Sequence, residues 1–167
     1  AEAEMAKSLE AVPGNVILLA GAAYWYAAHD VPDKSVEYAR RAVETDPRFI
    51  WSHIALARGL LGQKRPTDAE RTLLAARRYG NFPTLEYELA SARVAAGYFR
   101  EAAEELAKSF SVRDGVVRTI LGGRISRESK DLTELVGFER RASIYAPTAA
   151  DNPENAARLT ALLEFKQ

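Results

Sequence analysis

The chain has 167 residues and no cysteine, which excludes disulfides, thiolate catalysis and Cys-bound zinc while fitting the cytosol and the bacterial periplasm alike. It is 47% hydrophobic and 28% charged, the composition of a folded protein rather than a disordered one. Its 23 basic and 23 acidic side chains cancel, and they balance on both sides of Lys108, which speaks against a nucleic-acid or anionic-membrane surface.

Residues 1–12 have the pattern of one helix, stopped by Pro13-Gly14-Asn15. Ala1, Met5 and Ser8 stand 34 positions ahead of Ser35, Ala39 and Ala42, so this helix reads as the second half of a pair. With an initial Ala in place of Met, the chain reads as a fragment of a larger bacterial protein. The longest apolar stretch, Val16 to Ala28, is too short to span a bilayer and lacks the basic lead of a signal peptide, so membrane insertion is not expected.

A helix is expected over Val16–His29, then a turn at Asp30-Val31-Pro32-Asp33 and a second helix over Lys34–Thr45 with Asp33 as its N-cap. Asp46-Pro47 ends it, because the residue before proline disfavours helical geometry. The next pair is expected near Trp51–Leu61 and Thr67–Tyr79, with Thr67 as N-cap and a stop at Gly80-Asn81-Phe82-Pro83. A third pair begins at about Leu85–Ala96 and continues from Arg100, with a register uncertain by one residue.

Beyond Lys108 the pattern changes. In residues 110–120, Asp114-Gly115 between β-branched runs signals a β-hairpin with a type I′ turn, favoured over a helix ended by Gly115. Gly122-Gly123 is a break, and Asp131-Leu132-Thr133-Glu134 is a capping box for a helix over about 132–143. A last helix is expected over about 153–165, with Ala156, Leu159, Leu162 and Leu163 in one apolar stripe. That stripe is expected to cover the open end of the third pair.

Small residues return at a fixed step of 34: Ala23, Ala57 and Ser91; Ser35, Ala69 and Ala103; Ala42 and Ala76, broken at Phe110. Tyr26, Leu60 and Val94 keep the same step, and so do Pro13, Pro47 and Asn81. Coincident series at one period mark a repeat architecture in which the small residues sit where helices cross closely. This spacing, and the fragment VEYARRAVETDP at residues 36–47, resemble the tetratricopeptide repeat (TPR) family. The resemblance covers about residues 1–108. It implies an all-α fold: a right-handed α-solenoid with a partial repeat at 1–12 and repeats at about 16–49, 50–83 and 84–117. Residues 109–167 form a C-terminal extension that resembles no family.

No residues assemble a catalytic signature. The two histidines, His29 and His53, lack a third metal partner, the serines have no nucleophile-elbow context, and no phosphate-binding glycine loop is present. The carboxylate pairs Glu86/Glu88 and Glu104-Glu105 read as ordinary helix surface. Neither an enzyme, nor a cofactor, nor a metal is expected.

The resemblance implies instead a concave groove lined by the first helix of each pair. The inward positions carried over from the family are Ile17, Ala20, Tyr24 and Ala27, then Trp51, Ile54, Arg58 and Leu61, then Leu85, Glu88 and Ala92 or their neighbours one residue earlier. Tyr24, Trp51, Arg58 and Glu88 are the candidate contacts for a protein or peptide partner. The family's Lys/Asn/Lys/Arg clamp for the carboxylate tails of heat-shock chaperones is absent, since Ala20, Tyr24, Ala55, Leu85 and Leu89 stand in its place. The expected function is a non-catalytic interaction module or scaffold. The alternative is a structural or regulatory segment of a larger enzyme whose catalytic domain lies elsewhere.

Overall fold

The computed structural model describes residues 2–81, 83–129 and 153–166, which are mostly helical with one small antiparallel sheet. Two compact units divide at Gly80–Asn81.

The first unit contains α1 (Glu2–Ala11), α2 (Val16–Ala28), α3 (Pro32–Thr45), α4 (Ile50–Gly62) and α5 (Pro66–Ala76), with a 3-10 turn at Arg77–Tyr79. Asn15 caps α2 by accepting the Leu18 N–H at 3.1 Å. The caps expected at Asp33 and Thr67 do not form. Pro32 and Pro66 instead occupy the first turns of α3 and α5, and neither N-cap, Val31 or Arg65, makes a side-chain cap bond. Proline's preset φ and missing N–H suit that first position, so each helix starts earlier than its polar residue suggests. Asp33 accepts from Gln63 Nε2 at 2.9 Å instead.

Each second helix buries one stripe. In α3 it is Ser35, Val36, Ala39 and Ala42; in α5 it is Ala69, Leu73 and Ala76. α2 packs on α3 and on α4, and α4 packs on α3 and α5. The approaches are close: Ser35 Oγ donates to the Ala23 carbonyl at 2.8 Å. A Cβ added at Gly59 would lie 2.9 Å from Ser35 Oγ and 3.1 Å from the Val36 backbone nitrogen. α4 is apolar on nearly all sides and is buried along most of its length, as a helix without a polar face must be.

The second unit contains α6 (Pro83–Ala95), α7 (Phe99–Leu106), β1 (Phe110–Arg113), β2 (Val116–Leu121), β3 (Arg124–Ser129) and α8 (Pro153–Lys166). The first helices of the three pairs start at Val16, Ile50 and Pro83, and the second helices at Pro32, Pro66 and Phe99. Both series therefore step by 34 and then by 33, which settles the one-residue ambiguity of the third pair. Ala90 and Ala102 take the positions of Ala57 and Ala69, in place of the Ser91 and Ala103 given by the strict period.

The hairpin is present, with Asp114 and Gly115 both at positive φ (53° and 73°), as a type I′ turn requires. The break read at Gly122-Gly123 is a second tight turn, also at positive φ in both residues, which adds β3 to β2. Phe110, Val112 and Val117 face a core shared with Tyr87, Leu106, Leu159 and Leu163. α8 packs on α6, α7 and β1, so the apolar stripe of the last helix covers the third pair as expected. Asn155 Nδ2 donates to Ser91 Oγ at 2.8 Å and fastens its first turn. Glu105, buried on α7, takes Arg93 at 2.9 Å and Lys108 at 3.0 Å. The helix expected at 132–143 lies outside the described residues.

Candidate functional site

The register places Tyr24 and Arg58 at equivalent positions of consecutive pairs, on α2 and α4, and their side chains meet. The Arg58 guanidinium carbon lies 5.4 Å from the centre of the Tyr24 ring, within cation–π range. The Tyr24 hydroxyl donates to the Trp51 carbonyl at 3.1 Å, linking α2 to the first turn of α4. Three of the four candidate residues thus form one cluster. Tyr24 is 3% exposed and Trp51 9%, so both rings are buried rather than presented to solvent, while Arg58 is half-buried. Large aromatic surfaces gain most by leaving water, and their polar handles then need partners, which the Tyr24 hydroxyl finds. The buried Tyr24 ring thus supports a half-buried guanidinium, and Arg58 is the charged end of the cluster.

Glu88 stands apart. It lies on α6 in the second unit, 3% exposed. The 33-residue step aligns Tyr87, not Glu88, with Ala20 and Ile54, and aligns Ser91 with Tyr24 and Arg58. Glu88 therefore leaves the inward series. Of the other inward positions, Ala20, Ile54, Leu85 and Ala92 are fully buried and Ile17 remains exposed.

The histidines serve local structure. His29 Nδ1 lies 2.7 Å from the Trp25 carbonyl, with its ring stacked on Trp25 at 3.8 Å. His53 is buried, its Nε2 2.7 Å from the Pro47 carbonyl. Among the described residues no three His, Asp or Glu side chains gather as a metal site would need, and no helix is long and apolar enough to cross a membrane.

Two polar constellations escaped the sequence reading. Glu2 accepts from the Tyr26 hydroxyl at 2.9 Å and from Lys34 at 3.4 Å. The Tyr26 hydrogen bond, with Lys34 second, holds the Glu2 carboxyl below the usual carboxylate range. Burial and then Glu2 push the Tyr26 hydroxyl up. The second is a recess of about 890 Å³ at the sheet, lined by Arg113, Arg118, Ile120, Ile125 and Glu128 together with Val112 of the core, and bordered by Glu164 of α8. Arg118 pairs with Glu128 across β2 and β3 at 3.0 Å. The alternation of residues along the hairpin was the available signal for the strand residues of this recess; the contribution of α8, some forty residues further on, had none. No family model matches the chain, and no curated protein matches it.

Proposed function

We propose that the chain is a non-catalytic protein-interaction module: TPR-like helix pairs stacked as a right-handed α-solenoid, holding a partner's peptide segment at Arg58, with the buried Tyr24 and Trp51 as the support beneath it. One observation carries the reading. Positions one repeat apart are buried alike in successive pairs: Ala23 and Ala57 with Ala90, and Ser35 and Ala69 with Ala102. Stacked repeats of this kind serve binding through the surface that their first helices line. Arg58 is the polar contact, since a half-buried guanidinium held over the Tyr24 ring is a charged group of fixed pose, which costs little further side-chain entropy on meeting a partner.

Panning a displayed peptide library against the wild-type chain and against Arg58→Ala and Tyr24→Phe tests this. Arg58→Ala should abolish enrichment of the wild-type binders, and Tyr24→Phe, which keeps the ring, should weaken it. Truncating such an anchor typically costs about 2 kcal/mol or more of binding. Equal enrichment on all three proteins sinks the site, and no enrichment on the wild type sinks the peptide-binding function.

A further inference from the structure

We propose that the uncovered side of α2 takes one helix of a partner protein, which pairs with α1 and covers α2 as the α2/α3 pair covers α4. α2 reads VILLAGAAYWYAA and carries no charged residue, so no side of it is suited to water. One stripe nevertheless stays uncovered: Ile17 is 38% exposed, Gly21 and Trp25 are half-buried, and Ala28 is exposed. Steps of four, four and three put these positions on one side of the helix. One repeat on, their equivalents on α4 are Trp51, Ala55, Gly59 and Gly62, and the first three are buried. α2 and α3 cover that side of α4. The Tyr24 hydroxyl of α2 reaches the Trp51 carbonyl at 3.1 Å, and a Cβ added at Gly59 or Gly62 would meet Ser35 or Pro32 of α3 at 2.9 Å. For α2, α1 supplies the α3 half of this arrangement, with Leu9 and Met5 in one core with Leu19 and Ala20. The half that α2 supplies to α4 has no counterpart among the described residues.

Gly21 defines the kind of occupant. Glycine is less favourable than alanine inside a helix, and Gly59 and Gly62 both stand where another element comes close. Gly21 is the exception, since a Cβ added there meets nothing within 4 Å. A position without a side chain clears room for an approaching backbone, and one repeat on it is a helix pair that makes the approach. The partner helix is therefore apolar on the side toward Ile17 and Trp25 and comes closest at Gly21. Grooves that take an amphipathic helix read it in this way, through anchors on one helical face. None of these four residues belongs to the Arg58 cluster.

The covering helix stands to α2 as α2 stands to α4. The probe is therefore a synthetic peptide of residues 16–28 with Trp25→Phe and lysines at both ends, titrated into the full chain. Of the two tryptophans in the chain Trp51 is buried, so a shift of emission to shorter wavelength reports cover over Trp25. The shift should saturate with the probe and be absent with a scrambled peptide of the same composition. Gly21→Leu and Ile17→Ser should each raise the probe Kd about tenfold or more. Without the probe, the urea midpoint of Gly21→Leu should equal or exceed that of the wild type, because the new side chain enters open space and leucine is the better helix former. No saturable shift up to the solubility limit of the probe, equal affinity for the scrambled peptide, or unchanged binding by Gly21→Leu would each overturn the proposal. So would a lowered midpoint for that variant, which would mean that the space is already filled. An emission that moves with the concentration of the chain alone would give the stripe to a second copy and overturn the partner helix.

Discussion

The helix pairs of the two units are completed in different ways. In the first unit α2/α3 is covered by α4, another helix of the same kind, with the small residues Ala23, Ser35, Ala57 and Gly59 at the close approaches. In the second unit α6/α7 is covered by a single helix and a sheet, and the buried contacts are Phe110, Leu106, Leu159 and Leu163. Side-chain size at the contact separates the two solutions. Small residues let helix backbones approach until hydroxyl and carbonyl touch, as Ser35 does with Ala23. A phenylalanine holds its neighbour at a distance, and the space must be filled by side chains from several elements. A repeat can continue on the first kind of contact and ends on the second.

The most severe way to break this comparison is at Phe110, which is buried among α7, β1, β2 and α8 residues. Phe110→Ala removes the ring at the centre of that mixed core and should destabilise the unit by about 3–5 kcal/mol. Hydrogen exchange followed peptide by peptide should show α7, the sheet and α8 losing protection together while α2 and α3 keep theirs. Loss confined to the hairpin would mean that α8 does not depend on this core.

The counterpart in the first unit is Gly59→Leu. Any side chain there runs into Ser35 and the Val36 backbone, so the α3–α4 crossing must open. Overpacking of this kind costs about 1–3 kcal/mol, set against a smaller gain in helix propensity. A urea midpoint equal to or above that of the wild type would show that the crossing yields, and that small size is not what sets its geometry.

The same contrast explains what could be read in the sequence. Starts separated by 34 residues were legible because the crossings need small side chains at fixed intervals, and Ala23, Ala57 and Ala69 advertise them. The helix starts at Pro32 and Pro66 were misplaced because Asp33 and Thr67 look like caps, whereas the proline beside each sets the first turn. β3 was missed because Arg124–Ser129 is polar on both sides and carries no alternation to betray a strand. Yet Gly122-Gly123 has the two-residue turn chemistry that would have announced it. At the candidate site, the period brought Tyr24 to Arg58 in advance, but their burial did not follow from it. A helix such as α4, apolar all round, gives no sign of which face is left for a partner. Glu88 was drawn in by a register wrong by one residue.

The smallest effect is expected where the half-pair α1 is fastened, and it is a titration rather than a packing defect. Glu2 joins α1 to Tyr26 of α2 and Lys34 of α3, and the Tyr26 hydroxyl, then Lys34, favours its ionised form. A carboxyl held below its unfolded value binds its proton less readily in the folded chain than in the unfolded one. Its contribution to stability is then complete above the ordinary carboxylate pKa of about 4.3 and fades as pH falls through the lower folded value. Tyr26 titrates on the far side of neutrality and stays a donor throughout this range, since burial raises its pKa. Glu2→Gln keeps the shape and removes the charge. The variant should be slightly less stable than the wild type at pH 7, with the difference read as a small shift in urea midpoint, and the two should converge in acid. Because both groups are exposed, added salt should also shrink the difference at pH 7. A gap between wild type and variant that is the same at pH 7 and at acid pH would mean that α1 is held by Leu9 and Met5 alone, and that the ionised Glu2 adds nothing to the half-pair.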